Sequence, residues 1–304
     1  MSTVGQIGSD IHRAASLLRD GGVIGMPTET VYGLAALASN EEAVRRVFDV
    51  KGRPYDHPLI VHLSPIEDVS KWGHFNSDAT ALAQAFWPGP LTLLVPRTSR
   101  VPDWVTGGRN TVAIRVPSHT VAESLLDLVA DGVVAPSANL FGKVSPTEAK
   151  HVYNDFGNLV DYILDGGQCE HGVESTIVEC INKPTILRPG SISKDDIEAV
   201  LHISMQADTG KSRAPGMLTS HYAPNARVVL VETNEELKNK MSELSTTRTR
   251  CISLHFDSVQ EYAFRLYSSL RTADESEIDV VVALLPPAHG LGLAIRDRLR
   301  KASS

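Results

Sequence analysis

The chain has 304 residues, of which 42% are hydrophobic and 21% charged, and its formal net charge is −7 at pH 7. This length favours two domains of unequal size over one core. Proteins that bind nucleic acid mainly through its phosphates are usually basic, so the acidic balance argues against that class. No apolar run reaches the ~20 residues of a membrane span, and the first residues lack the basic and apolar regions of a secretory signal.

In the first third of the chain the pattern predicts two helices and two buried strands. Residues 7–19 carry apolar side chains at helical spacing, and an Asp-Gly-Gly sequence ends that helix. Buried strands are predicted at residues 23–26 and 59–63. Between them, Asn40 and two glutamates predict a second helix start. Further strands are predicted at residues 91–95, 111–116, 133–135, 162–164, 172–178 and 185–187, and further helices at 80–86, 121–130 and 195–201.

Two polar loops separate the first two predicted strands. Residues 27–30 offer two hydroxyls and a carboxylate, and residues 51–54 place Lys51 and Arg53 two positions apart. A helix C-terminus favours cations, so both side chains fit solvated partners of the helix dipole. They also fit a phosphate-binding site, in which Lys51 contributes a point charge and Arg53 donates two hydrogen bonds to one phosphate. The residues alone leave both interpretations open.

Polar residues further along the chain carry the same ambiguity. Arg115 lies inside a predicted strand, where it fits either a solvent-facing edge charge or a pocket wall that faces a carboxylate. Ser137 and Asn139 follow a short buried strand, where α/β proteins bind ligands, although an ordinary turn also explains them. Residues 145–148, Ser-Pro-Thr-Glu, predict a helix N-terminus that Ser145 caps and whose free N–H groups can receive a phosphate.

The three cysteines are sparse and odd in number, which indicates a reducing compartment and hence a cytoplasmic protein. No Cys-x-x-Cys pair is present, which argues against a structural zinc site. Cys169, His171 and Glu174 lie close together, but they lack paired ligand spacing and a fourth partner, so no metal site is predicted.

The last third of the chain predicts a linker and a second domain. Residues 206–225 are rich in glycine, proline and serine. A Thr-Gly-Lys-Ser sequence there lacks the first glycine of a phosphate-binding loop, and no helix-like segment follows, so that motif is rejected. Three strand–helix alternations after the linker predict a small parallel sheet with right-handed crossovers. The predicted domains are therefore residues 1–205 and 226–304.

Seven motifs, in this order, resemble the threonylcarbamoyl-AMP synthase family, whose members are built on a YrdC-type domain. They are PTETVYGL with KGRP and PLIVH, then WPGPLTLLV, VAIRVP, APSAN, EST, LRPG and GM…HYAP. The last resembles the connector of two-domain members, so the resemblance covers nearly the whole chain. It implies an α/β fold: a YrdC-like twisted mixed sheet with helices around a concave cationic cavity, plus a small Rossmann-like parallel β-α C-terminal domain.

The resemblance implies a nucleotidyltransferase that forms threonylcarbamoyl-AMP and pyrophosphate from L-threonine, bicarbonate and ATP, with Mg²⁺ accompanying ATP. The product would pass to a tRNA-threonylcarbamoyl transferase complex for the modification of tRNA next to the anticodon. Direct tRNA binding is not supported by the charge, and no membrane partner is expected. The alternatives are an RNA-binding module that uses the same concave face, a related carbamoyl-adenylating enzyme, and a regulatory protein that binds nucleotide without chemistry.

Site residues follow from the resemblance by motif position. The catalytic pair would be Lys51 and Arg53. Residues around L-threonine would be Thr30, His62, Arg115, Ala135 and Ser175, with Arg115 on the carboxylate. Residues around ATP would be Arg53, His57, Thr111, Ser137, Asn139, Ser145, Arg188 and Tyr222, the last on a linker that closes over the nucleotide. Taken alone, His62 also fits a core histidine and Tyr222 simple linker packing.

Two features depart from the family pattern. His57 stands where many members carry asparagine, although a histidine can still donate a hydrogen bond to phosphate, with a dependence on pH. The connector reads Gly-Met-Leu-Thr-Ser-His where the family version is more basic.

Overall fold

The computed structural model describes residues 6–64, 66–205 and 222–304. The strands described are β1 Gln6–Gly8, β2 Ile24–Met26, β3 Gly33–Leu37, β4 Ile60–His62, β5 Leu91–Pro96, β6 Thr111–Arg115, β7 Val133–Val134, β8 Tyr162–Leu164, β9 Thr176–Glu179, β10 Thr185–Arg188, β11 Arg227–Val231, β12 Cys251–Leu254 and β13 Val280–Leu284. The α-helices described are α1 Ile11–Arg19, α2 Glu41–Lys51, α3 Ser77–Phe86, α4 Asp103–Thr106, α5 Thr120–Val129, α6 Ala149–Phe156, α7 Lys194–Leu201, α8 Asn234–Ser245, α9 Val259–Glu275 and α10 Leu291–Ala302. Short 3-10 helices cover Ile66–Lys71 and Gly157–Leu159.

Within the described residues, β1 to β10 form one mixed sheet in the order β1-β8-β2-β3-β7-β4-β6-β5-β9-β10. Strand β4 runs parallel to β6 and antiparallel to β7, so the centre of the sheet mixes both kinds of pairing. Strands β11, β13 and β12 form a separate parallel sheet. The predicted fold class, a mixed sheet followed by a small parallel β-α domain, is confirmed.

Alternation along the central strands assigns one face to the core and the other to a cavity. Val61 of β4 and Ile114 of β6 pack in the main apolar core with Phe48 of α2. Their neighbours His62 and Arg115, which are paired in the β4–β6 register, point to the opposite face because side chains alternate along a strand. The face away from the core therefore carries charged and polar groups.

The smaller domain packs directly on the larger one. Leu266 and Tyr267 of α9 belong to an apolar cluster that also contains Val31, Val144 and Val173 of the larger domain. The other face of the small sheet is covered by α8 in a cluster of its own. Helices α9 and α10 therefore lie between the small sheet and the larger domain.

Several predicted elements are confirmed near their expected positions, and two predictions are wrong. The helix predicted from residue 7 begins at Ile11, because Asp10 caps it through Arg13 N, and the preceding residues form β1 instead. The helix predicted from Ser145 begins at Ala149, and Glu148 at its N-cap makes no side-chain bond. Ser145 does not cap the helix because its hydroxyl donates to Glu174 at 2.6 Å.

The linker prediction falls mostly outside the described residues, which resume at Tyr222. Gly216, Met217 and His221 of the connector motif lie in that gap, and the domain boundaries stay a prediction. None of the helices in the described ranges is both long and apolar enough to cross a membrane.

Candidate active site

A cavity over the polar face of β4 and β6 gathers most of the predicted site residues. It encloses about 580 Å³, counting its open mouth. The predicted residues that line it are Thr30, Arg53, His62, Arg115, Ala135, Ser137, Ser175, Arg188 and Tyr222. The predicted residues that are not among its lining are Lys51, His57, Thr111, Asn139 and Ser145. Glu174 also lines the cavity, and the sequence did not predict it as part of this site.

Arg115 lies at the end of β6 with its guanidinium turned into the cavity. Its Nη1 donates to Thr30 Oγ1 at 2.8 Å, and its Nη2 lies 2.7 Å from Glu29 Oε1 in an ion pair that is almost completely buried. Burial alone would raise the pKa of Glu29, but the charge and hydrogen bond of Arg115, together with backbone hydrogen bonds, hold it below its ordinary value. Arg115 Nε has no hydrogen bond to the described part of the chain. This donor can serve a carboxylate that enters the cavity.

His62 lies beside Arg115 in the β4–β6 register and is almost completely buried. Burial and the positive charge of Arg115 lower its pKa to about 3. His62 is therefore a neutral imidazole near pH 7 and adds no charge to the cavity. Its Nδ1 lies 3.2 Å from Ile60 O, and the ring also hydrogen-bonds the backbone of Val133.

Arg188 at the end of β10 binds the Ser175 segment. Its Nε donates to Ser175 O and its Nη2 to Ser175 Oγ, both at 3.0 Å. Ser175 Oγ also lies 2.8 Å from Thr92 Oγ1, so its hydroxyl position is fixed from two sides. Burial lowers the pKa of Arg188, as it lowers that of Arg53 to about 10, and both remain cations at neutral pH.

Lys51 and Arg53 face different directions because Gly52 turns the chain between them. Gly52 caps α2 in the left-handed conformation, with φ of 63°. Lys51 Nζ donates to Ser137 O at 2.5 Å and to Asn139 O at 2.6 Å, behind the cavity wall. Arg53 lines the cavity and donates to Pro58 O at 3.0 Å. Lys51 therefore fixes the backbone of the Ser137 loop from behind.

His57 and Thr111 lie near the cavity without lining it. The ring of His57 is 5.6 Å from that of Phe141, and the Arg53 guanidinium is 6.0 Å from the same ring. Burial and then the charge of Arg53 lower the pKa of His57. Thr111 shares the cavity face of β6 but precedes Arg115 by four residues, or about 13 Å at ~3.3 Å per residue.

The wall nearest the smaller domain is built around Glu174. Its Oε1 accepts a hydrogen bond from Ser145 Oγ at 2.6 Å, and its Oε2 accepts from Tyr267 Oη and Arg298 Nε, both at 2.8 Å. Burial opposes ionisation, but Arg298 and then Arg188 lower the pKa of Glu174 to about 2. Tyr222 stacks on Tyr267 with ring centroids 5.6 Å apart. The smaller domain thus reaches the cavity wall.

Comparisons with known proteins agree with this fold. A family model described as "Telomere recombination", for Sua5, YciO and YrdC proteins, matches residues 16–190. A second, described as "Threonylcarbamoyl-AMP synthase, C-terminal domain", matches residues 192–304. The threonylcarbamoyl-AMP synthase of Pyrococcus abyssi is 41% identical over 96% of this chain and 94% of its own length. That of Bacillus subtilis is 40% identical over 96% of this chain and 92% of its own.

Among solved structures, the crystal structure of P. abyssi Sua5 complexed with L-threonine has a TM-score of 0.91 and 38% sequence identity. The similarity covers 99% of this chain and 97% of that one. Both parts of the chain, the mixed sheet and the small parallel sheet, therefore fall within one known architecture. The chain belongs to the threonylcarbamoyl-AMP synthase family, as its motifs predict.

Proposed function

We propose that this chain forms threonylcarbamoyl-AMP and pyrophosphate from L-threonine, bicarbonate and ATP in the cavity over β4 and β6. The observation that carries the proposal is the convergence of three buried guanidinium groups, those of Arg53, Arg115 and Arg188, in one cavity. In this reaction a carbamate carboxylate attacks the α-phosphate in line while pyrophosphate leaves. Two anions must approach each other, which requires cations held in place beforehand.

L-Threonine binds on the Arg115 side of the cavity. The unpaired Nε of Arg115 donates to the substrate carboxylate, and the Thr30 hydroxyl, which Arg115 orients, lies beside it. Neutral His62 and Ser175 offer further polar contacts without adding charge. Ala135 contributes a small apolar surface for the substrate side chain. The family relative solved with L-threonine supports a threonine site in this fold.

ATP binds on the side of Arg53 and Arg188. Both cations face the triphosphate, and Arg53 Nε has no hydrogen-bond partner elsewhere in the described ranges. Ser137 offers its hydroxyl from a loop that Lys51 holds through two carbonyl oxygens. Lys51 and Asn139 then act through the position of that loop, while Tyr222 covers the nucleotide. The assignments of His57, Thr111 and Ser145 to the nucleotide rest on the family motifs.

Mg²⁺ enters with ATP, since this ion is usually held by substrate phosphates and water rather than by a protein cage. The carboxylates closest to the cavity, Glu29 and Glu174, are already paired with Arg115 and Arg298, so we assign neither as a metal ligand. Bound Mg²⁺ would offset phosphate charge and make pyrophosphate a better leaving group. We place the reaction in the cytoplasm, where the product passes to a tRNA-threonylcarbamoyl transferase complex.

Pyrophosphate release tests the proposal. The full chain is incubated with ATP and Mg²⁺, with and without L-threonine and with and without bicarbonate. We expect release that requires both L-threonine and bicarbonate, and a product that joins threonine, one carbon of bicarbonate and AMP. Replacing L-threonine by D-threonine is the matched control, because it keeps every functional group and changes only their arrangement. Release that is indifferent to L-threonine would rule the proposal out.

A further inference from the structure

We propose that the smaller domain completes the ATP site by neutralising Glu174 of the cavity wall with Arg298, which makes Arg298 a positioning residue. The inference deepens the proposed function and rests on it, because it concerns the nucleotide side of the same cavity. It gives the smaller domain a defined part in substrate binding.

Glu174 lies in the cavity wall, where an unpaired carboxylate would weaken the binding of ATP. It lines the cavity beside Ser175 and Arg188 and is only 5% exposed. Charges in such a buried wall are poorly screened by solvent, so a bare carboxylate would repel a triphosphate. A carboxylate that faces an anion site therefore needs a cation behind it.

Arg298 supplies that cation from α10. Its side chain is completely buried, and its Nε lies 2.8 Å from Glu174 Oε2. Its guanidinium carbon also lies 5.3 Å from the centre of the Tyr222 ring, which lines the same cavity. Tyr267 of α9 donates to the same carboxylate oxygen. Two helices of the smaller domain thus converge on one carboxylate of the larger domain.

Arg298 also leaves more of the Arg188 charge available to phosphate, because it is the stronger counterion of Glu174. After Arg298, Arg188 is the next cation that stabilises ionised Glu174. If Arg298 were absent, Arg188 would become the main counterion of Glu174, and its charge would be less available to phosphate. Losing Arg298 therefore weakens ATP binding in two ways. The negative charge of Glu174 loses its main counterion, and Arg188 pairs more strongly with Glu174 and less with phosphate.

A second interdomain ion pair provides a matched control. Arg271 of α9 pairs with Asp155 at 2.7 Å, and both side chains are mostly buried. Neither residue is among those that line the cavity. Arg271 also donates to the carbonyl oxygens of Val144 and Ser145, so Asp155→Asn is the change that breaks the ion pair and keeps those bonds. If Arg298 served only to hold the two domains together, replacing Asp155 would have the same consequences as replacing Arg298.

The experiment measures the dissociation constant of Mg–ATP by titration calorimetry on the full chain. We expect Arg298→Met to weaken ATP binding about ten-fold or more, because it leaves a negative charge in the site. The double variant Arg298→Met/Glu174→Gln removes both charges and should bind ATP within about three-fold of the original chain. Arg298→Lys, which keeps the charge, should do the same, and Asp155→Asn should leave the constant within about two-fold.

A folded Arg298→Met variant that binds ATP like the original chain would overturn the inference. So would a double variant as weak as Arg298→Met, or an equal loss in Asp155→Asn. If Arg298→Met does not fold, the double variant and Arg298→Lys decide: near-original binding in both supports the inference, and ten-fold weaker binding in both refutes it. Equilibrium binding is read without turnover, so a chain that binds ATP but releases no threonine-dependent pyrophosphate would contradict the proposed function alone.

Discussion

At the residue scale, the groups that already bind each cation decide what it can do for a substrate. Lys51 donates to the carbonyl oxygens of Ser137 and Asn139, so it acts on the loop. Arg115 is tied to Glu29 and Thr30 yet keeps Nε without a hydrogen bond to the described residues. The two side chains thus differ in position: Lys51 lies behind the cavity wall, and Arg115 lines the cavity.

Replacing Arg115 separates the two substrates. We expect Arg115→Ala to raise KM for L-threonine by about 100-fold, because a charge-assisted carboxylate contact contributes roughly 3 kcal/mol. KM for ATP should change by no more than about three-fold, since Arg53 and Arg188 remain. Steady-state pyrophosphate release with each substrate varied checks this. Arg45→Ala is the control, because Arg45 pairs with Glu41 on the exposed face of α2. An equal rise in both constants would contradict the assigned role.

Which residues the sequence could predict depended on where their partners lie. Arg115 and Ser137 stand inside recognisable motifs, and the structure brings both to the cavity. Arg298 could not be predicted, because its partner Glu174 is 124 residues away and no local pattern marks the pair. Ser145 was assigned as a helix cap because Ser-Pro-Thr-Glu fits that role locally, but a carboxylate 29 residues away takes its hydroxyl.

At the element scale, the end of α2 at Gly52 determines the different directions of Lys51 and Arg53 in the KGRP motif. Asn40 accepts from Ala43 N at the start of the helix, and Gly52 ends it in the left-handed conformation. The sequence predicted the start from residue type and placed Lys51 in the loop after the helix, whereas Lys51 is the last residue of α2. It did not predict β3, Gly-Leu-Ala-Ala-Leu, because that segment lacks the β-branched residues and alternation typical of strands. Pairing with β2 and β7 inside the sheet makes it a strand.

Substituting Gly52 should lower stability because of its backbone conformation and not because of a steric clash. Its φ is 63°, and a Cβ there would meet no atom within 4 Å. We expect Gly52→Ala to lower the free energy of unfolding by about 1 kcal/mol, the usual cost of a left-handed alanine. Gly52→Asn should cost less, because asparagine tolerates this conformation better. Urea unfolding measures both, and an alanine variant as stable as the original chain would contradict the prediction.

At the scale of the whole molecule, one site is assembled from two domains. The apolar cluster that joins Val31 and Val173 to Tyr267 holds the smaller domain against the cavity wall. Arg298 and Tyr267 then meet Glu174 within that interface. Substrate binding and interdomain packing therefore depend on the same contacts, and conditions that break the Glu174–Arg298 pair should affect both.

Acid should weaken the fold through Glu174. Its pKa is about 2 in the folded chain against an ordinary 4.5, so the unfolded chain takes up the proton first. The stabilising contribution is therefore complete above about pH 4.5 and lost as pH falls towards 2. Through this group we expect the free energy of unfolding in urea to fall by roughly 2–3 kcal/mol over that range.

The double variant Arg298→Met/Glu174→Gln serves as the comparison for that pH series. It lacks the titrating carboxylate and should show a shallower fall, while Glu29, whose pKa is also lowered, contributes equally to both proteins. Parallel curves for the two proteins would show that Glu174 is not coupled to unfolding.

Because Lys51 is buried against the segment around Ser137, its chemical reactivity measures how often that segment opens. We expect an amine-acylating reagent to reach Lys51 Nζ only when its hydrogen bond to Ser137 O is broken by local opening. Lys150 is the control, because 62% of its side chain is exposed and it can react without opening. Mass spectrometry of the two acylated lysines would then give the frequency of local opening. We expect Mg–ATP to slow the acylation of Lys51, because nucleotide bound against the Ser137 segment stabilises its closed conformation. The acylation rate of Lys150 should not change.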